Sequence, residues 1–120
     1  MLRTGVDIIE VARIEQAAAR HGERFYRRFF TAAERERCEG RFTAFAARFA
    51  AKEAVSKALG TGIGDMNWTD IEIVNDERGR PELKLHGAAV EIAQHLGIRE
   101  WSLSLSHTHE HAIAFVVATG

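Results

Sequence analysis

The sequence predicts an α+β fold, with helices packed on one face of a mainly antiparallel sheet. Three observations carry that prediction. Alternating apolar and polar residues mark strands at residues 2–9, 70–75, 101–105 and 111–118. Strands late in the chain are joined by short turns, as hairpins are, not by helical crossovers. One long alanine-rich helix fills the centre, at residues 43–59.

The elements follow in order. In residues 2–9, Leu2, Thr4, Val6 and Ile8 share one face, with Asp7 and Ile9 on the other. From Glu10 the period becomes helical: Val11, Ile14, Ala17 and Ala18 form a buried stripe, and Gly22 ends it. Residues 23–30 form a short amphipathic helix rich in arginine. Thr31 followed by Glu34 reads as a capping box, which starts a helix at Ala32 that runs to about Cys38 and breaks at Gly40. In the central helix Ala47, Ala51, Ala54 and Ala58 share a face suited to close packing, Phe45 and Phe49 lie on its flank, and Gly60 is a natural C-cap. Residues 61–68 read as loop. Ile71 and Ile73 point inward from a strand, Asp76 to Gly79 make a turn, and Leu83 to Leu85 return. A helix at 88–96 closes at Gly97. A final hairpin then pairs the Trp101, Leu103, Leu105 strand with residues 111–118, turning at His107 to Glu110.

The chain has 120 residues and a single proline, Pro81, so one domain spanning 1–120 with no linker is expected. Net charge is −1, which gives no overall field for recruiting nucleic acid. Cys38 is alone, so no internal disulfide forms, and it reads as a spare thiol in a reducing, cytoplasmic setting. The N-terminus lacks a signal-peptide pattern, and no apolar run approaches the roughly 20 residues of a membrane span.

Chemistry concentrates around residues 48–64. Glu53 and Lys57 stand four apart on one helical face, just before the glycines of the 60–64 loop. A carboxylate that holds a divalent cation beside an ammonium that holds a phosphate suits polyphosphate chemistry. An i, i+4 pair also simply stabilises helices, by about 0.3–0.5 kcal/mol. Asp7, an acid inside an apolar strand, is either a polar residue on a solvated face or a second oxygen ligand. Mg²⁺ takes one or two carboxylates and completes its shell with water and phosphate. Lys52 and Arg48 read as solvated helix charges. The glycine loop follows a helix C-terminus, unlike a Walker loop, which precedes a helix N-terminus. His107, His109 and His111 alternate and would share a face if one strand ran through all three, an arrangement able to bind zinc. Arg13, Arg20, Arg24, Arg27 and Arg28 make residues 11–30 basic, either for solubility or as a docking stripe for an acidic partner.

Three segments in order carry a family resemblance. Gly5-Val6-Asp7-Ile8-Ile9-Glu10 with Arg13-Ile14, the run from Arg48 to Gly64, and Ser104-Leu105-Ser106-His107-Thr108 resemble the signatures of the holo-[acyl-carrier-protein] synthase family of 4′-phosphopantetheinyl transferases. The resemblance spans nearly the whole chain and is weakest between residues 31 and 45. It implies a small α+β protomer that assembles as a homotrimer, with coenzyme A lying between subunits. It implies Mg²⁺-dependent transfer of the phosphopantetheine arm from coenzyme A to a serine of apo acyl carrier protein, in support of fatty acid biosynthesis. By that resemblance Asp7 and Glu53 match the magnesium ligands, and Lys57 matches a phosphate-contacting lysine near the transferred group. Arg48, His107 and Thr108 match positions lining the coenzyme A phosphates. Gly62 and Gly64 match the loop beside the nucleotide, and Pro81 matches a residue near the adenine. Arg13, Arg20 and Arg24 match the face that meets the carrier protein. Competing expectations are a transferase for polyketide or peptide synthase carriers, a non-catalytic coenzyme A-binding module, and a zinc protein built on the three histidines.

Overall fold

The computed structural model describes residues Met1–Gly120 and is organised around one helix. The elements are β1 (Leu2–Glu10), α1 (Val11–His21), α2 (Glu23–Phe29), α3 (Ala32–Cys38), α4 (Phe42–Leu59), β2 (Ile71–Asn75), β3 (Pro81–Leu85), α5 (Gly87–His95), β4 (Glu100–His107) and β5 (His111–Thr119). Helices and strands sit where the periodicity puts them, with ends shifted by a residue or two. The expected 61–68 loop instead contains one short 3₁₀ turn at Ile63–Asp65, and a second begins at its end, Trp68–Asp70. The Thr31 capping box forms in both directions, and Gly60 caps α4 in the left-handed region at φ 76°.

All strand pairs are antiparallel. One sheet has the order β1-β5-β4, and β2 and β3 form a separate two-stranded ribbon beside it. Helix α4 lies across the three-stranded sheet and is buried nearly all round, through Ala46, Ala47, Ala50, Ala51, Ala54, Val55 and Ala58. A helix buried on nearly every side belongs in the centre of a core. Small residues on both surfaces let it come close. The sheet offers Gly5 from β1 and the fully buried Ala112, Ala114 and Ala118 from β5.

Gly5 is the point of nearest approach. A Cβ placed on it would lie 1.8 Å from the Ala54 carbonyl oxygen and 3.1 Å from the Ala58 nitrogen. The strand backbone therefore touches the helix backbone, and no other residue type fits. Two side chains cross the same seam. The Arg3 guanidinium donates to the Ala58 carbonyl at 3.1 Å, and Lys57 donates to the Val6 carbonyl at 2.9 Å.

The alternation of β1 was legible, but its direction was not. Asp7 faces the helix side with Gly5 and Ile9, while Leu2, Val6 and Ile8 are 69%, 49% and 62% exposed on the opposite, outer face. Ile113 and Phe115 of β5 pair with Ile8 and Val6 and extend that exposed apolar surface. An aromatic cluster closes the other end of the core. There Phe25, Tyr26, Phe29, Phe30, Phe45, Phe49 and Trp68 meet with ring centroids 4.8–5.9 Å apart. Such pairs stabilise by about 0.5–1.5 kcal/mol each beyond the area they bury.

Candidate active site

Because α4 rests on Gly5, its last two turns overhang the middle of β1. Asp7 stands two residues beyond Gly5 on the same strand face, and Glu53 and Lys57 descend towards it from the helix. Lys57 Nζ lies 3.1 Å from Asp7 Oδ1. Asp7 and Glu53 both line one cleft of about 680 Å³ between β1, α1, α2 and α4. Two acids 46 positions apart in sequence thus meet beside one ammonium.

Electrostatics agree with that convergence. The Glu53 carboxyl is held above its ordinary value, first by burial and then by the charge of Asp7, with Lys57 opposing. A carboxyl raised by a neighbouring carboxylate marks a place that favours a cation. The donors are oxygens only, which suits a hard ion such as Mg²⁺. No group of three or more His, Cys, Asp or Glu side chains is arranged to hold a metal. The site therefore fits an ion that keeps most of its shell for water and phosphate.

The cleft has two other kinds of wall. Arg13, His21, Arg24 and Arg28 from α1 and α2 form a basic rim. Ile14, Ala17, Phe25, Phe29 and Phe49 make an apolar side. Arg13 and Arg24 were expected on a docking face. Arg28 was noted only as part of a basic stretch, and its i, i+4 spacing from Arg24 on α2 is the signal that would have placed it. Arg20 is exposed on α1 and does not line the cleft.

The remaining expected site residues lie outside this cleft. Arg48 is not a solvated helix charge. It is buried, with Nη2 donating to Asn75 Oδ1 at 2.5 Å. Asn75 pairs with Pro81 across the β2–β3 ribbon, so Arg48 and Pro81 share one end of that hairpin. Gly62 adopts φ 68° ahead of the 3₁₀ turn that contains Gly64, and His107 and Thr108 are exposed where β4 turns into β5.

Lys52 corrects the sequence reading more sharply. It is fully buried, 2.7 Å from Glu34 Oε1. Burial pulls its amine below its ordinary value, and the Glu34 carboxylate pulls back upward. Cys38 is likewise buried, and burial pushes its thiol up. The three-histidine zinc expectation fails on topology. His107 ends β4, His109 sits in the turn and His111 begins β5, so no single strand aligns them and no three-ligand group forms.

Comparison with known proteins identifies the family. The family model of the 4′-phosphopantetheinyl transferase superfamily matches residues 3–116. The chain belongs to that superfamily. It is 53% identical to the holo-[acyl-carrier-protein] synthase of Herpetosiphon aurantiacus over 127 residues, covering 100% of each chain. The crystal structure of the Helicobacter pylori holo-[acyl-carrier-protein] synthase in complex with coenzyme A superposes with a TM-score of 0.89. Identity there is 36%, over 97% of this chain and 99% of that one. The Neisseria meningitidis holo-[acyl-carrier-protein] synthase gives a TM-score of 0.90 at 35% identity, over 98% of each. As a superfamily member the chain is an enzyme, a phosphopantetheinyl transferase. Its fold is the transferase protomer, including residues 31–45, where the sequence resemblance is weakest.

Proposed function

We propose that the chain moves the 4′-phosphopantetheine arm of coenzyme A onto a serine hydroxyl of apo acyl carrier protein, releasing adenosine 3′,5′-bisphosphate. The observation that carries this reading is the meeting of Asp7, Glu53 and Lys57 under a basic rim, in a chain whose relatives include a coenzyme A-bound synthase. Asp7 and Glu53 would hold Mg²⁺. When bound, the ion neutralises charge on the pyrophosphate and the leaving group.

The chain's own residues do the rest. Lys57 offers its ammonium to the transferring phosphoryl oxygens, a fixed cation where negative charge develops. The serine oxygen bonds to phosphorus as the pyrophosphate P–O bond breaks, its electrons leave on adenosine 3′,5′-bisphosphate, and the serine proton is released to water. Catalysis of this kind is positioning and electrostatics more than covalent work by the protein. Arg13, Arg24 and Arg28 orient an acidic carrier, with Arg20 adding charge on the same helix as Arg13. Phe25 and Phe49 exclude water from the side of the cleft.

On the same reading, Arg48 and Pro81 at the hairpin, Gly62 and Gly64 in the loop, and His107 and Thr108 at the β-turn contact coenzyme A. Because they lie outside the Asp7 cleft, they would complete a site on a neighbouring subunit of a homotrimer. The exposed apolar face of Leu2, Val6, Ile8, Ile113 and Phe115 supports assembly, since a surface of this kind marks a contact. The setting is the cytoplasm and the pathway is fatty acid synthesis, with the whole of 1–120 acting as one domain. No helix is long and apolar enough to cross a membrane.

The deciding experiment is mass spectrometry of apo acyl carrier protein after incubation with the protein, coenzyme A and Mg²⁺. Gain of one phosphopantetheine that chelator abolishes is the expected result. No gain on any of several apo carriers, with coenzyme A still bound, would make the chain a binding module instead.

A further inference from the structure

We infer that Lys52 is a positioning residue, pinning the nucleotide-side loop and hairpin to the helix that carries Glu53 and Lys57. The inference rests on the coenzyme A reading above for the identity of the ligand. Its structural part stands on the protein alone.

The Lys52 ammonium has three donors and three acceptors: Glu34 Oε1 at 2.7 Å, the Trp68 carbonyl at 3.2 Å and the Ile71 carbonyl. Glu34, itself buried, accepts from the Thr31 backbone at 2.9 Å and from the Ile73 backbone at 3.0 Å. Thr31 Oγ1 passes the chain on to Glu72 Oε2 at 2.5 Å, and Glu72 Oε1 meets His86 Nε2 at 2.9 Å. One connected network therefore joins the N-cap of α3, the middle of α4, the first residues of β2 and the N-cap of α5.

What those segments carry gives the network its meaning. Trp68 closes the loop that contains Gly62 and Gly64. Ile71 opens the ribbon whose far end holds Asn75 against Arg48 and pairs it with Pro81. Both elements are therefore fixed to α4 at Lys52, one residue before Glu53. The fixing also reaches the cleft. The Trp68 indole stacks on Phe49 at 4.8 Å and 22°, and meets Phe29 at 4.8 Å and 62°. Phe29 and Phe49 line the cleft beside Glu53.

A purely stabilising role explains less. A buried ion pair adds little net stability, because desolvation offsets its attraction, and an apolar replacement of similar shape is often neutral or better. A lysine whose three donors reach backbone carbonyls on the loop and strand, as well as a carboxylate, specifies where those segments sit.

The test uses a Trp101→Phe parent, which leaves Trp68 as the single indole. Lys52→Met and the charge-neutral pair Lys52→Met/Glu34→Gln are compared with it by circular dichroism, Trp68 emission and steady-state transfer. The expected result is a folded variant with shifted Trp68 emission, a coenzyme A KM raised about tenfold or more, and an unchanged carrier KM. A folded variant with the parent's emission and coenzyme A KM overturns the inference. So does failure of both variants to fold, which makes Lys52 a stabilising residue only. A parent that transfers nothing from coenzyme A overturns the functional reading instead, and Trp68 emission then judges the pinning by itself.

Discussion

Replacing Gly5 with alanine tests the contact on which the site is built. The new methyl would stand 1.8 Å from the Ala54 carbonyl oxygen and 2.8 Å from its carbon, both backbone atoms of a helix interior. No side chain can rotate away to make room. To reach even the tightest tolerated contact, α4 must lift from β1 by about 1.2 Å, and overpacking of this kind costs about 1–3 kcal/mol. For a domain of this size that is a fall in melting temperature of roughly 4–12 °C. The same lift carries Glu53 and Lys57 away from Asp7, stretching the 3.1 Å contact between Lys57 and Asp7. Misplacement by an ångström costs on the order of 10²-fold in rate. Differential scanning calorimetry and a mass-spectrometric transfer assay read the two effects separately. A Gly5→Ala protein that melts and turns over like the parent would refute the argument that backbone contact sets the site's geometry.

Glu53→Gln should remove Mg²⁺-dependent transfer while the fold is kept, because a neutral amide avoids the burial cost and the repulsion from Asp7 that together hold Glu53 above its ordinary value; turnover near the parent's would take Glu53 out of the mechanism. Arg13→Glu reverses one charge of the cleft rim and should raise the carrier KM at least about tenfold with coenzyme A KM unchanged, a loss that 0.5 M salt should mimic in the parent; equal loss of both would mean misfolding. Phe115→Asp places a charge in the exposed apolar face and should convert the proposed trimer to monomers in light scattering, with transfer lost alongside; an assembly that survives would locate the subunit contact elsewhere. Glu72 is held below its ordinary value by hydrogen bonds from Thr31 and His86, which outweigh burial. A depressed carboxyl stabilises the fold above its unfolded value of about 4.3 and loses that contribution as pH falls through the lower folded value. The melting-temperature gap between parent and Glu72→Gln should therefore be present above about pH 5 and close below about pH 4; a gap unchanged at pH 3 would contradict this.

What the sequence disclosed and what it hid divide along contact range. Local signals were readable. Thr31 and Glu34 form their capping box, Gly60 caps α4, and the strands of both hairpins fall where alternation puts them. The pairing of Glu53 with Lys57 was visible because helical spacing alone sets it. The burial of Lys52 and Arg48 was not, since their partners Glu34, Ile71 and Asn75 lie 18 to 27 residues away. A charged side chain on a helix is solvated unless a distant segment arrives to bind it. Alternation in β1 separated two faces without saying which met the helix. The glycine that decides this, Gly5, carries no side chain to signal it. The aromatic side of the cleft was hidden in the same way, because Phe25 and Phe29 belong to α2 and Phe49 to the distant α4.

Strand β1 joins two duties in adjacent residues. Asp7 points into the cleft, while its neighbours Val6 and Ile8 lie on the exposed outer face. With a period of two, the strand cannot lose or gain a single residue without exchanging those assignments wholesale. A register slip of one would push an acid outward into the apolar surface and bring Thr4 or Val6 against the α4 backbone at the place of Gly5, where only glycine fits. Length variation in this family should accordingly be confined to turns and helix ends. For an engineer, the first ten residues are the segment in which insertions are least forgivable.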